Sequence, residues 1–348
     1  MENREPDKSN PNHRRVFYFL NILFLCVITV ASLTMAVVLF VRLERLRSEK
    51  LVEGTMYTDS QIEKIRYGAA QSERNRILLE IQSSFESGKS TISMLRDLFP
   101  GDLVVMWEGR YYFYPVDRYL EVNPFSEMDF ALGENGAMEY IGEDEGVTVN
   151  RGIDVSALNG EIDWAKVAED QIAFAMIRAA VRNTGGELEQ DERFQENMSG
   201  AKSVGIRTGC YADLDVDNEK AAEEIADFVL SNLTMSQQEM GAPVAVRVQI
   251  PDHSSSLSGQ TREEWTQGVR AFCAKIKKAG YVPVICANTA AFHMLLNMAE
   301  LEDYDKWIAD YGDYLYFPYK FRCWQYSLKG TVNGIEGDVA LDLSVSAE

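Results

Sequence analysis

Residues Gly152 to Trp164 read GIDVSALNGEIDW. Gly152–Val155 has the make-up of a short strand and presents one carboxylate, Asp154, where that strand ends. Asn159-Gly160 then turns the chain, and a helix starts near Asp163-Trp164. The same alternation continues downstream. Strand candidates are Ala173–Ala179, Ile206–Ala212, Pro243–Gln249, Val282–Ala287, Lys306–Ala309 and Phe321–Tyr326. Helical stretches fall between the early ones, at about Asp191–Ser203, Asn218–Leu233, Arg262–Ala279 and Thr289–Met298. Strands alternating with helices imply an α/β protein with a parallel sheet. The late strands have no helix between them, which points to an incomplete (β/α)-type barrel. In such barrels functional side chains gather at the C-terminal strand ends.

Working outward, residues 1–15 form a short polar tail, and Val16–Val41 is an apolar run of 26 residues flanked by Arg14-Arg15 and by Arg42, Arg45 and Arg47. That is long enough to span a bilayer and too long for a cleavable signal peptide, so residues 16–41 are expected to be a transmembrane signal-anchor. Four basic residues on each side leave the positive-inside rule balanced. The bulk of the chain best suits the outside if its partner is there, as a single-pass membrane protein. Residues 42–99 carry a helical pattern (Ile62, Ile65, Ala69, Ile77, Ile81, Phe85) and read as a helical stalk ended by Pro100-Gly101. Residues 100–150 read as a small β-containing module, with a hairpin around Glu108-Gly109.

The net charge is −20, and residues 151–348 alone hold 31 acidic against 18 basic side chains. So acidic a surface excludes a nucleic-acid partner, since nothing would neutralise the phosphates. The five cysteines (Cys26, Cys210, Cys273, Cys286 and Cys323) have no metal-like spacing and read as small core residues. His13, His253 and His293 are far apart, which argues against a zinc site. Asp213, Asp215 and Asp217 resemble a calcium loop at first, but the Gly and Glu that an EF-hand loop needs are missing. They read instead as an acidic cluster at a helix N-terminus.

Over residues 151–348 the chain resembles the glycoside hydrolase family 25 lysozymes, the Chalaropsis-type muramidases. The resemblance is carried by GIDVSALNGEIDW, by FAMIRAAVR (Phe174–Arg182) and by DERFQENMSGAKSVGIRTGCY (Asp191–Tyr211). AGYVPVICANTAAF (Ala279–Phe292), YDKWIADYG (Tyr304–Gly312) and WQYSLKGTVNGIEGDV (Trp324–Val339) extend it. It implies a barrel of about five β/α units closed by further strands, cleavage of the β-1,4 bond between N-acetylmuramic acid and N-acetylglucosamine, and no metal or organic cofactor.

Glycoside cleavage needs two carboxyl groups flanking the bond, one of them a proton donor. The resemblance implies that they come from the first strand and from an Asp-x-Glu motif after Pro-Val, with the Glu as general acid. Here the first-strand carboxylate is Asp154, but Arg247 stands for the Asp and Gln249 for the Glu. The C-terminal Gly-x-Val-Asp-Leu pattern becomes Gly337-Asp338-Val339-Ala340-Leu341, so Ala340 replaces another cleft Asp. Asp338 or Asp342 would need a slip in register, expected to turn the side chain to the other face. An ion pair between Asp154 and Arg247 is expected at the barrel mouth.

Tyr211, Trp324 and Tyr326 are candidates for sugar stacking, or else strand-end core aromatics. Gln325 either hydrogen-bonds sugar hydroxyls or faces the barrel wall, and Cys286 stands where relatives often carry Tyr. Two function classes follow. One is a membrane-anchored, catalytically degenerate protein that binds peptidoglycan glycan strands or cell-envelope proteins. The other is an active muramidase with a recruited acid such as Asp213, Asp338 or Asp342.

Overall fold

The computed structural model describes residues 11–53, 57–126, 128–133, 136–215, 218–236, 238–252, 259–312 and 314–347. Most of the polar tail, together with Asp217 and His253, lies outside the described residues. The chain divides into two units, Met1–Glu86 and Ser87–Glu348.

The first unit is two helices, α1 (Pro11–Glu53) and α2 (Asp59–Glu86). Within α1, Arg15–Arg45 is long and apolar enough to cross a membrane. Three of its polar side chains bond to carbonyls of the helix itself. Asn21 Nδ2 donates to the Phe17 carbonyl at 3.0 Å, Thr29 Oγ1 to Leu25 at 2.6 Å, and Thr34 Oγ1 to Val30 at 3.0 Å. In hydrocarbon an unsatisfied polar group costs several kcal/mol, so this local bonding is what an apolar environment demands. Helix α2 opens with a reciprocal cap in which Gln61 Oε1 accepts from the Thr58 N–H and Thr58 Oγ1 accepts from the Gln61 N–H.

The helical stalk expected over residues 42–99 is interrupted at Ser87–Gly88, where Gly88 takes a φ of +75°. Helix α3 (Thr91–Leu98) restarts on a Ser90 cap and belongs to the second unit. Strands β1 (Asp102–Trp107) and β2 (Arg110–Pro115) follow as an antiparallel hairpin. Its turn residues Glu108 and Gly109 both have positive φ, as the tight hairpin turn requires. Leu103 and Val105 on the inner face of the hairpin pack against Ala290. A second ribbon, β3 (Phe130–Leu132) with β4 (Met138–Tyr140), sets Phe130 edge-on to Trp324 at 5.8 Å. Residues 87–150, assigned from sequence to a stalk and a separate module, are thus part of the same compact unit as the barrel.

The barrel strands are β5 (Val147–Val155), β6 (Phe174–Arg178), β9 (Arg207–Asp213), β10 (Pro243–Arg247), β11 (Val282–Ala287), β12 (Asp305–Ala309), β13 (Cys323–Gly330) and β14 (Val339–Ala347). A side ribbon, β7 (Ala180–Arg182) with β8 (Leu188–Gln190), leaves after β6. Helices α4 (Trp164–Glu169), α5 (Phe194–Ser203), α6 (Glu219–Met235), α7 (Arg262–Lys278) and α8 (Thr289–Leu295) follow the first five barrel strands. Every strand pair from β5 through β13 is parallel. Strand β14 is antiparallel to both β13 and β5 and closes the ring. The barrel is therefore incomplete in its helices but complete in its sheet, and the closing strand is the one that the strand pattern did not reveal.

Two glycines let the interior fill. A side chain at Gly152 would collide with the Phe174 ring, and one at Gly209 would meet the Met176 sulfur and the backbone of Pro243. Because part of that obstruction is backbone, Gly209→Ala is expected to destabilise the second unit by about 1–3 kcal/mol. The check is a lowered denaturation midpoint followed by tryptophan fluorescence.

Candidate active site

Parallel strands aim their C-terminal ends at one face, and the candidate residues meet there. Asp154 ends β5, Tyr211 and Asp213 end β9, Arg247 ends β10 and Gln325 lies on β13. Asp213 and Arg247 are direct register partners, as are Asp154 and Ala340. Arg247 Nε donates to Asp213 Oδ1 at 2.5 Å and its Nη2 to Asp213 Oδ2 at 3.1 Å. The guanidinium stacks over the Tyr211 ring at 4.7 Å. Its Nη1 stands 3.9 Å from Asp154 Oδ2. The expected Asp154–Arg247 contact is therefore present at its outer limit. Asp213, read from sequence as part of a helix-terminal cluster, is the main partner.

Asp154 is almost fully buried. Gln325 Nε2 donates to its Oδ2 at 3.1 Å, and Gln325 Oε1 in turn accepts from the Tyr311 hydroxyl at 3.2 Å. Burial pushes the Asp154 carboxyl above its usual range. Arg247 and hydrogen bonds from Tyr211 and Gln325 pull it back, and the Asp213 charge adds to the rise. Burial also works against the Arg247 charge, but the Asp213 hydrogen bond and the neighbouring Tyr211, Asp213 and Asp154 outweigh it and strengthen the guanidinium's hold on its proton. Burial first and Asp154 second raise the Tyr211 hydroxyl far above its ordinary value, so it stays a neutral donor.

The aromatic candidates separate by strand alternation. Trp324 and Tyr326 flank Gln325 and so face away from the barrel interior. Trp324 is fully buried, its Nε1 bonded to the Asp310 carbonyl at 2.7 Å, and Tyr326 packs 5.8 Å from it. Neither ring offers an open face to a sugar. Tyr211 does line the mouth, yet its ring is buried between Arg247 and Trp307. The exposed aromatic at the site is Tyr311, two residues beyond β12, which sequence reasoning passed over. Gln249 is exposed in the segment after β10. Cys286 is buried in the barrel interior beside Trp307.

A model of glycosyl hydrolases family 25 matches residues 153–335. The chain belongs to glycosyl hydrolase family 25. Among curated relatives of this family 25 chain, Lysozyme M1 of Streptomyces globisporus is 26% identical over 236 residues, 65% of this chain and 76% of the relative. The autolytic lysozyme of Clostridium acetobutylicum is 26% identical over 198 residues, and the match spans only about half of each protein (55%). The modular autolysin LytC from Streptococcus pneumoniae, solved with a synthetic peptidoglycan ligand, superposes with a TM-score of 0.53 at 21% identity. That match covers 69% of this chain and 51% of that one, and it shows the shared fold.

The remaining acids of this family 25 barrel are placed as follows. Asp338 is exposed ahead of β14. Asp342 was expected to point away from the cleft, but it lies two residues from Ala340 and so keeps the same face, paired in register with Gly152 one layer below Asp154. It is completely buried, with Oδ1 accepting from Trp307 Nε1 at 2.8 Å. Burial, and after it the Asp154 charge, hold this acid's pKa well above 3.8. The folded protein therefore keeps a proton that the unfolded chain releases. Stability is full below pH 3.8 and falls as pH rises toward the elevated value, by about 1.4 kcal/mol per pH unit. Asp342→Asn should remove that slope above pH 3.8 and raise stability at the alkaline end, as read from urea unfolding at each pH.

Proposed function

We propose that this chain is a membrane-anchored, cell-wall-facing family 25 domain that binds peptidoglycan glycan strands or a cell-envelope protein without cleaving the glycan. The observation that carries this reading is the chemistry of the mouth. Arg247 binds Asp213 there, and we read Arg247 as standing for one carboxylate and Gln249 for the proton donor of the Asp-x-Glu spacing. An amide does not titrate, and a guanidinium acts neither as base nor as nucleophile. Loss of a general acid alone costs about 10²–10⁴ in rate. Asp213, an alternative acid at the mouth, is engaged on both oxygens by Arg247. The helix Arg15–Arg45, long and apolar enough to cross a membrane, supports the single-pass anchor, and the kinship with proteins named lysozymes supports a cell-wall-facing barrel.

One observation favours the second reading, an active muramidase. Asp154 is held above the ordinary carboxylate range by burial, as glycosidase acids commonly are. The two readings part in a single experiment. The full chain in detergent micelles is incubated with purified peptidoglycan, and new reducing ends and sedimented protein are both measured. The expected result is co-sedimentation without new ends, and turnover only in the variant Arg247→Asp with Gln249→Glu. New ends from the natural chain, lost on Asp154→Ala, would overturn the non-catalytic reading.

A further inference from the structure

The barrel has a second opening. At the end opposite Asp154, where the parallel strands begin, a cavity of about 100 Å³ lies within the sheet. Phe174, Met176, Pro243, Val284 and Cys323 make its walls mostly apolar, and Trp307 is the wall shared with the Asp342 hydrogen bond. Arg207, Arg322 and Ser344 line both this cavity and a wider groove of about 680 Å³ that adjoins it.

The basic groups of the groove are Arg207, Lys306, Lys320 and Arg322. Three are satisfied by the chain itself. Lys320 pairs with Glu121 at 2.8 Å, Arg322 with Asp305 at 2.6 Å, and Lys306 Nζ donates to the Glu302 carbonyl at 2.8 Å. Arg207 is exposed, and its side chain has no partner among the described residues. Residues 151–348 hold 31 acidic side chains against 18 basic ones, so an uncompensated guanidinium there has no shortage of carboxylates to pair with. It stands instead beside an apolar hole. A guanidinium donor fork next to a small apolar cavity matches one ligand class, a carboxylate with an alkyl tail.

We propose that this end of the barrel binds a short-chain monocarboxylate, the tail in the cavity and the carboxylate on Arg207. A cavity of about 150 Å³ admits benzene, so one of this size takes roughly four carbons. Pentanoate places four carbons inside and its carboxyl carbon at the mouth. The free acid and a lipid acyl chain share this chemistry, and chain length separates them. Affinity for the short acid rises roughly fourfold per methylene from propanoate to pentanoate and then levels off.

The test uses the full chain in nanodiscs with ¹³C-methyl methionine, following the Met176 resonance, assigned through Met176→Leu, during titration with pentanoate. The expected result is a saturable shift that weakens about tenfold or more in Arg207→Gln and with 1-pentanol as the uncharged probe. Arg207 is exposed, so the other methionine resonances of that variant should stay in place and report an intact fold. A Met176 resonance that pentanoate leaves unmoved overturns the proposal. So does equal affinity of Arg207→Gln or of 1-pentanol, or a gain that continues through decanoate.

Discussion

Strand β14 pairs with β5 over its whole length, and this antiparallel seam is the constraint on which the barrel depends. Without it β5 and β13 would be open edges, each with a row of unpaired backbone groups. The seam also sets what the interior contains. It puts Ala340 beside Asp154 and Asp342 beside Gly152, so one column of the wall carries two carboxyl groups at successive depths. The absence of a side chain at Gly152 gives the Phe174 ring its place in the next layer.

Above that column, one cation serves several acids. Arg247 gives two hydrogen bonds to Asp213 and leaves Asp154 its longer contact at 3.9 Å. Asp154 is supported by the Arg247 charge first and by the neutral donors Tyr211 and Gln325 after it. Arg247 is in register with Asp213, so a carboxylate at position 247 would face a carboxylate across the strand pair. Arg247 thus sets the electrostatic sign of the mouth at this position. A return to two-carboxylate chemistry must also find a new role for Asp213.

Much of the barrel was legible because its parallel strands are buried on both faces and read as short apolar runs between helices. Strand β14 was not, for a physical reason. Its inward residues Ala340, Asp342 and Ser344 are small or polar while Leu341, Leu343 and Val345 face outward, so VALDLSVSA lacks the continuous apolar run of its neighbours. The residues at the mouth were readable one at a time, from their places at strand ends. Their pairings were not, because partners such as Asp213 and Arg247 are 34 residues apart in sequence and meet only through the parallel register. Trp324, Gln325 and Tyr326 show the opposite error. A consecutive motif suggested one surface, and the two-residue period of a strand sends its middle member inward and its neighbours out. The stalk was over-extended because the periodic pattern hides the helix stop at Gly88.

Trp307 divides the interior. Its indole N–H is bonded upward to Asp342, while its ring forms a wall of the lower cavity. A protonated Asp342 gives the indole an acceptor without placing a second full negative charge under Asp154, which burial already disfavours in its charged form. The same carboxyl ionised would repel Asp154 and weaken the support of the mouth from below. Burial favours the neutral form of Asp342, which limits that repulsion. Trp307 thus meets both ends of the interior, its N–H bonded to Asp342 on one side and its ring lining the cavity on the other.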